Sequence, residues 1–488
     1  MDDMKRRVEF FGREDLISQL DNLWAKRVPS LVTCRGRRRV GKSTLIAEFA
    51  RRSDAVFIKL DGLRPEKGMT NEDQLRFFAD KLGEQTGCEK TVPASWYEAF
   101  HRLSGQIDDR RKTVILLDEI SWMASFDHTF AAVLKSAWDD LFKQHPKLIL
   151  VLCGSVSFWI KEHLLENRAY VGRRSLDIVV PELPLEECVK FWGVKAKRID
   201  AREIIDVLSV TGGVPRYLEE VNPALSAPEN IRRLCFLPRS ILREEFDDMF
   251  NDVVTAKQKF TSQVLRVFVE GPRSCAEVAS ALGVDRGGNV SAAVAVLLES
   301  GFLAEEGTRD PETGRPLRER RYRLRDNYTR FYLKFIEPHK EQIDAGAFVF
   351  SALEQLEGLD GVMGLAFENL VVNNYVSLLP LFHLSGTLVT AAGAYRRRPA
   401  KGKRGKPGVQ VDLMLQTRRS LWFVEIKRKH EIGREIETEV DRKVAAIRRP
   451  EGVSSKTALV YDGHLSPVAK ADGYFDAIIP FKTLLGLP

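Results

Sequence analysis

The stretch CRGRRRVGKSTL, residues 34–45, decides the reading of the chain. Gly36 and Gly41 are separated by four residues, and Lys42, Ser43 and Thr44 follow directly. In such a loop successive backbone N–H groups and a helix N-terminus point at phosphate oxygens, while the glycines let the main chain close around them. The run LVTC (31–34) before it reads as a buried strand, and STLIAEFARR after it as a helix, which is the context the mechanism demands. Lys42 is then expected to pair with the β- and γ-phosphates of ATP. Ser43, with Thr44 beside it, is expected to hold Mg²⁺. Arg37, Arg38 and Arg39 fill the variable positions. Because the backbone makes the cradle, they are expected to reach acids of the lid or of another subunit, with a solvated face or direct contact with the γ-phosphate as the competing readings.

TVILLDEISWM (113–123) supplies the second half of this chemistry. An acid at the carboxyl end of a neighbouring strand binds Mg²⁺ through its water shell, and the next carboxylate polarises the attacking water. Asp118 is therefore expected on the metal side and Glu119 as the general base; a solvated acidic turn is the alternative. Ser155, just past LILVLCG, is placed to sense the γ-phosphate, or is an ordinary strand-end serine.

Working outward, AVFIKL (55–60), TVILLD (113–118), LILVLC (148–153) and LDIVV (176–180) join LVTC as apolar runs separated by amphipathic stretches. That alternation predicts a parallel sheet covered on both faces by helices. Residues 185–255 lack strand signals and read as a helical lid. In 256–340, AEVASALGV (276–284), a glycine turn at 286–288, VSAAVAVLLESGFL (290–303) and the hairpin-like run 304–324 follow the order of a winged helix. From 341 to 488 another α/β pattern appears. The predicted fold is thus multidomain α/β, with a P-loop parallel-sheet core (1–184), lid (185–255), winged helix (256–340) and a last α/β domain (341–488).

Composition sets limits. With 488 residues, 44% hydrophobic and 29% charged, the chain reads as globular with several cores. A net charge of +7 is modest at this length, so positive charge has to be sought locally. The six cysteines show no C-x-x-C pair, which argues against a zinc site or a disulfide framework. The N-terminus has no apolar signal region and no apolar run is long enough to span a bilayer. A cytoplasmic protein that does not engage membranes is expected.

FFGRED (10–15), GRRRVGKST (36–44), VILLDEISWM (114–123), LCGSVSFW (152–159), YVGRRS (170–175) and TGGVPRYLEE (211–220) occur in the order of the archaeal-type AAA+/STAND ATPases. The resemblance spans roughly residues 8–340. It implies ATP hydrolysis in a homo-oligomer, a nucleotide framed by Arg13, and Gly212, Gly213 and Pro215 in a lid over the adenine. It also implies an arginine finger at Arg173, for which Arg174 is an equally placed competitor; a salt bridge is the alternative for either.

A second chemistry lies in VQVDLMLQTRRSLWFVEIKRK (409–429). Two strands joined near Thr417–Ser420 bring Asp412 and Glu425 to one edge. Alternation puts Glu425 and Lys427 on one face and sends Ile426 into the core. Two acids can hold Mg²⁺ or Mn²⁺ while the lysine orients water or stabilises developing phosphate charge. The segment resembles the PD-(D/E)xK, restriction-endonuclease-like core, with Asp412, Glu425 and Lys427 as its triad and Glu368, in GLAFENLVV (364–372), as the acid of the first helix. Val411 stands where that motif has proline. The resemblance implies a metal-dependent DNA nuclease driven by ATP, and defence against foreign DNA is a role such a device would serve. An ATP-switched DNA-binding regulator, or a signalling scaffold, built on an inactive nuclease fold is the rival. Two basic stretches, YRRRPAKGKRGKPG (395–408) and RPLRERRYRLR (315–325), are expected to grip DNA phosphates as separate patches, with solvated or edge-strand arginines as the alternative.

Overall fold

The structure is a computed structural model describing residues 10–155, 157–253, 258–285, 287–317, 319–349, 353–399, 408–467, 469 and 473–487. The chain divides into two units, Met1–Leu183 and Pro184–Pro488.

In the first unit five strands, β1 (Ser30–Arg35), β2 (Val56–Asp61), β3 (Thr113–Asp118), β4 (Leu148–Gly154) and β5 (Arg174–Val179), form a parallel sheet in the order β2-β3-β4-β1-β5. Alternation along each strand splits the core into two layers. Val32, Cys34, Val114, Leu116, Ile149 and Val151 pack with the helices Glu14–Trp24 and Lys42–Arg52. Leu31, Ile58, Ile115, Leu117, Leu150 and Leu152 pack with the helices Asn71–Thr86, Trp96–Ser104 and Phe130–Asp140. Side chains that leave alternate faces of a strand make both faces apolar, so the runs are continuous rather than alternating in sequence. One expectation is corrected here. The acidic strand β3 does not neighbour the loop strand β1, because β4 lies between them. The carboxyl ends of β1, β4 and β3 thus line one sheet edge.

The second unit begins with helices, including Ala201–Thr211, Ala227–Cys235 and Ile241–Val253. The helices Gln258–Arg266, Cys275–Leu282 and Gly288–Glu299 follow, then an antiparallel pair, β6 (Leu303–Glu305) and β7 (Tyr322–Leu324). A single apolar cluster runs from Val210 through Phe246, Val294 and Tyr328 to Met363, so the residues expected as lid and winged helix share one core. Arg330 is buried in this unit, 2% exposed, and donates to the carbonyls of Phe268, Val269 and Leu324.

The last sheet is mixed, in the order β12-β11-β10-β9-β8. β8 (Val389–Arg397), β9 (Val409–Thr417) and β10 (Ser420–Ile432) are antiparallel, and β11 (Ser454–Leu465) and β12 (Ala477–Pro480) run parallel to β10. The turn between β9 and β10 is closed by the Ser420 N–H donating to Thr417 Oγ1 at 2.9 Å. The helices Leu359–Asn373 and Glu435–Ala446 pack against this sheet. Arg396 and Arg397, expected in a loop, stand on β8; Lys401, Lys403, Arg404 and Lys406 lie outside the described residues. The segment 315–325 is a strand only over Tyr322–Leu324. Before it, the hairpin bridges to the sheet edge: Gly307 pairs with Ala392, and Thr308 Oγ1 donates to the Ala394 carbonyl at 2.8 Å.

Candidate functional site

Two sites emerge, one in each unit. In the first, β1 ends at Arg35 and the chain turns through Gly36, whose φ is 152°. A Cβ at Gly36 would meet the Val180 carbonyl oxygen at 2.5 Å, so this glycine is required by close approach. Gly41, φ 85°, caps the helix Lys42–Arg52, and Lys42 Nζ, nearly buried, donates to the carbonyls of Gly36 and Arg37 at 3.1 Å each. Thr44 stands one residue further into the same first helical turn as Ser43. Ser43 Oγ donates to Asp118 Oδ2, across the sheet edge. Lys59 on β2 pairs with the same carboxylate at 3.4 Å and with Asp61 at 2.8 Å. In sequence Lys59 lies within the apolar run AVFIKL, where a lysine looks like a solvated strand position.

Glu119 follows β3 in the left-handed region, φ 48°, and accepts from Ser155 Oγ at 3.0 Å and the Ser155 N–H at 3.3 Å. Burial pushes its carboxyl above the usual glutamate range, with Asp118 adding to the rise and Lys42 opposing it. Ser155 is therefore joined to the candidate base. Arg13, also left-handed at φ 65°, donates to the Val40 carbonyl at 2.5 Å and to the Pro181 carbonyl at 3.1 Å, so it frames the loop through its backbone. Together, Arg13, Arg39 (φ 69°) and Glu119 place three strained non-glycine residues around one loop.

Three of the singled-out arginines have partners within the first unit. Arg37 pairs with Glu182 of the same unit at 3.5 Å. Arg173 grips Asp139, on the helix Phe130–Asp140, through Nε and Nη2 at 2.8–3.0 Å, and holds that carboxyl well below the aspartate range. Arg174 donates to the Leu165 carbonyl at 3.2 Å. In the second unit, Gly212 has φ 59° and Pro215 opens the short helix Pro215–Leu218.

The C-terminal site is built from three elements. Val424 of β10 faces Leu413 of β9, so Glu425 and Asp412 follow as the next rung, and the Ile426 N–H donates to Asp412 Oδ2 at 3.1 Å. Glu425 and Lys427 meet at 2.7 Å on one face while Ile426 is buried, as alternation requires. Lys443 of the helix Glu435–Ala446 takes the other Glu425 oxygen at 2.6 Å, and Glu439 bridges both lysines at 3.1 and 3.0 Å. Lys443 and Glu439 were not anticipated; their four-residue spacing on a helix after β10 is the signal that marks them.

Burial raises the Glu425 carboxyl to about 7, with the Asp412 charge adding to the rise. Asp412 is raised by burial and by Glu368, and Glu368 by burial, with Glu425 adding while Arg396 opposes. Burial works against the charged forms of Lys427 and Lys443, yet Glu425 keeps both ammonium groups above the usual lysine range. These residues line one cavity of about 1260 Å³. Among the described residues, however, no group of three or more His, Cys, Asp or Glu is gathered to metal-holding geometry. In this arrangement each Glu425 oxygen carries a lysine. Three mutually raised carboxyls remain chemically suited to a divalent cation, which would replace one ammonium.

Residues 10–221 match the model of a family described as an ATPase domain predominantly from Archaea. They form an archaeal-type ATPase domain. Its match includes the phosphate loop, Asp118–Glu119 and Ser155, and runs on through Gly212, Gly213 and Pro215. An uncharacterized protein of Methanocaldococcus jannaschii is 20% identical over 376 residues, 76% of this chain and 78% of its own. A Walker-type ATPase of Pyrococcus abyssi superposes with a TM-score of 0.51 at 16% identity, covering 68% of this chain and 97% of its own. The ORC2 protein of Aeropyrum pernix, solved as ADPNP–ADP complexes, gives 0.44 at 13% identity, covering 71% and 97%. The likeness to the Pyrococcus structure is one of fold. No helix among the described residues is long and apolar enough to cross a membrane.

Proposed function

We propose that the ATPase domain drives a metal-dependent nuclease seated in the C-terminal cavity. In the first unit, Lys42 and the loop N–H groups receive the β- and γ-phosphates, and Ser43 with Asp118 holds Mg²⁺. Glu119, poised by burial and by Ser155, takes the proton of the attacking water. In the second unit, Asp412, Glu425 and Glu368 are suited to Mg²⁺ or Mn²⁺, which when bound would activate water and neutralise charge on a phosphodiester. Lys427 orients that water or meets the developing phosphate charge, and Glu439 positions the lysine.

One observation carries the second half of this reading: Asp412, Glu425, Lys427 and Glu368, drawn from β9, β10 and the helix Leu359–Asn373, line a single cavity. The acids raise one another there, as a catalytic cluster does. The test is incubation of the full chain with linear, circular and single-stranded DNA and Mg²⁺ or Mn²⁺, with and without ATP, beside Asp412→Ala. Cleavage that disappears in the variant supports the nuclease. Binding without cleavage would make the chain an ATP-switched DNA-binding regulator, and absence of DNA affinity would leave a protein-directed switch.

A further inference from the structure

The two basic stretches that look separate in sequence are brought together by the fold. The hairpin 305–321 docks on the β8 edge, and between them lies a crevice of about 670 Å³. Arg309, Arg320 and Arg321 line it from the hairpin, and Arg396, Arg397 and Arg398 from β8 and its end. Among the described residues six arginines face four glutamates there, so the crevice is cationic.

Its walls are tied in place. Glu277 accepts the Ser274 N–H in a helix-capping box, pairs with Arg321 at 3.0 Å and with Arg398 at 2.6 Å, and so joins hairpin and sheet through one carboxylate. The Arg309 N–H donates to Gln416 Oε1 at 3.0 Å, and Gln416 Nε2 donates back to the Arg309 carbonyl at 3.0 Å. The crevice and the acid cavity share three lining residues, Gly408, Val409 and Gln410. Arg396 pairs with Glu306 at 3.6 Å on the crevice wall.

We propose that this crevice is a track for the phosphodiester backbone of a single nucleic-acid strand, leading it to Asp412 and Glu425. The proposal rests on the reading of the acid cavity as a nuclease site and adds its substrate form. Three observations fix that form. A cavity of this size falls in the range of about 300–1,000 Å³ that holds small ligands, so a short run of one strand fits within it whereas a paired helix would touch its rim. Guanidinium groups match phosphate oxygens through paired N–H donors. Among the described residues no aromatic side chain lines the crevice, so contact falls on phosphates rather than on base faces and carries no sequence information.

The experiment uses the full chain in EDTA without nucleotide, so that binding is read apart from cleavage. Anisotropy of labelled single-stranded DNA, single-stranded RNA and duplex DNA is followed across a salt series for wild type, Arg320→Gln and Arg398→Gln. Arg320 is the safer variant, since its side chain is 69% exposed, and thermal melting checks that both remain folded. Single strands should bind at least tenfold more tightly than duplex, with oligo-dT and oligo-dA alike. Each variant should lower the slope of log affinity against log salt by about 0.7, one phosphate contact on a single strand. Preference for duplex, preference for RNA above tenfold, or an unchanged slope in both folded variants would overturn the track. Mg²⁺ is then added to the wild type. Binding as described without cleavage leaves the track standing and removes the nuclease, whereas cleavage with affinity untouched by the variants removes the track and keeps the nuclease.

Discussion

The phosphate loop and the acid cavity solve the same problem, holding phosphate and metal chemistry, by opposite means. The loop is made by backbone over ten consecutive residues, 35–44, with two glycines setting its shape. The cavity is made by side chains from two strands and two helices spread over residues 368–443. A backbone site depends on a few residues that no other type can replace. A side-chain site is buffered, because Glu425 meets two lysines and each lysine meets two glutamates. Single substitutions are therefore expected to act all-or-none in the loop, and by degrees at the ion-pair partners Lys427, Lys443 and Glu439 of the cavity.

The largest effect follows from Lys42. Its Nζ lies within the loop, so Lys42→Ala is expected to lower ATP turnover by about 10²–10³-fold or more, the scale of losing one preorganised charge-stabilising donor. Glu119→Gln should retain labelled nucleotide and lose turnover to a comparable extent, since it keeps the shape and removes the base. Phosphate release and filter binding measured together separate the two. Because burial raises the Glu119 carboxyl, wild-type turnover should fall as pH drops through that raised value, where the base becomes protonated. Turnover in Lys42→Ala within tenfold of wild type would end the claim that this loop is irreplaceable.

The contrast between the sites also sets how much of each is legible in sequence. Gly36, Gly41, Lys42, Ser43, Asp118 and Glu119 fall on strand ends and one helix start, so periodicity and spacing alone place them. Strand order is different. That β4 separates β1 from β3 follows from how helices cross over the sheet, which no local pattern records. Asp412, Glu425 and Lys427 are readable because a short turn links their strands, whereas Lys443 and Glu439 reach the site only by docking of a helix. The hairpin 304–324 resembles a free wing in sequence, and its docking on β8 depends on contacts such as Arg309 with Gln416, 107 positions apart.

A middle-sized effect is expected at Glu425. Its carboxyl keeps a proton to about 7 when folded against 4.5 for the ordinary side chain. The sign follows from proton binding: the folded state binds that proton more tightly, so its stabilising contribution is complete below about pH 4.5 and is lost as pH rises through about 7. The difference is at most about 3–4 kcal/mol, at about 1.4 kcal/mol per unit, and is shared with Asp412 and Glu368 because the cluster titrates together. A divalent cation that replaces the proton should therefore raise the melting temperature more at about pH 8 than at about pH 5.5. Glu425→Gln should melt at or above wild type at about pH 8 and lose the Mn²⁺ response. An equal Mn²⁺ shift in wild type and variant at both pH values would place the cation elsewhere.

The smallest effect is expected at Arg173, which is held by an ion pair within its own unit. Arg173 sits in the YVGRRS stretch, whose resemblance implies a finger that reaches a neighbouring subunit's nucleotide. Its guanidinium instead holds both oxygens of Asp139, which Lys135 and Lys143 also hold at 3.0 and 2.6 Å. A finger has to exchange this chelate for a phosphate, and with two lysines left on Asp139 that exchange leaves no unpaired acid behind. The two roles therefore differ in concentration dependence rather than in geometry. If Arg173 is a strut, turnover per chain stays flat as protein is diluted, and Arg173→Ala changes it by less than about twofold. If it acts across subunits, specific activity rises with protein concentration and the variant loses about 10³–10⁵-fold, the contribution of an arginine finger. The Asp139 chelate leads us to expect the flat line, and a steep one would turn the buffered ion pair into the resting position of a catalytic arm.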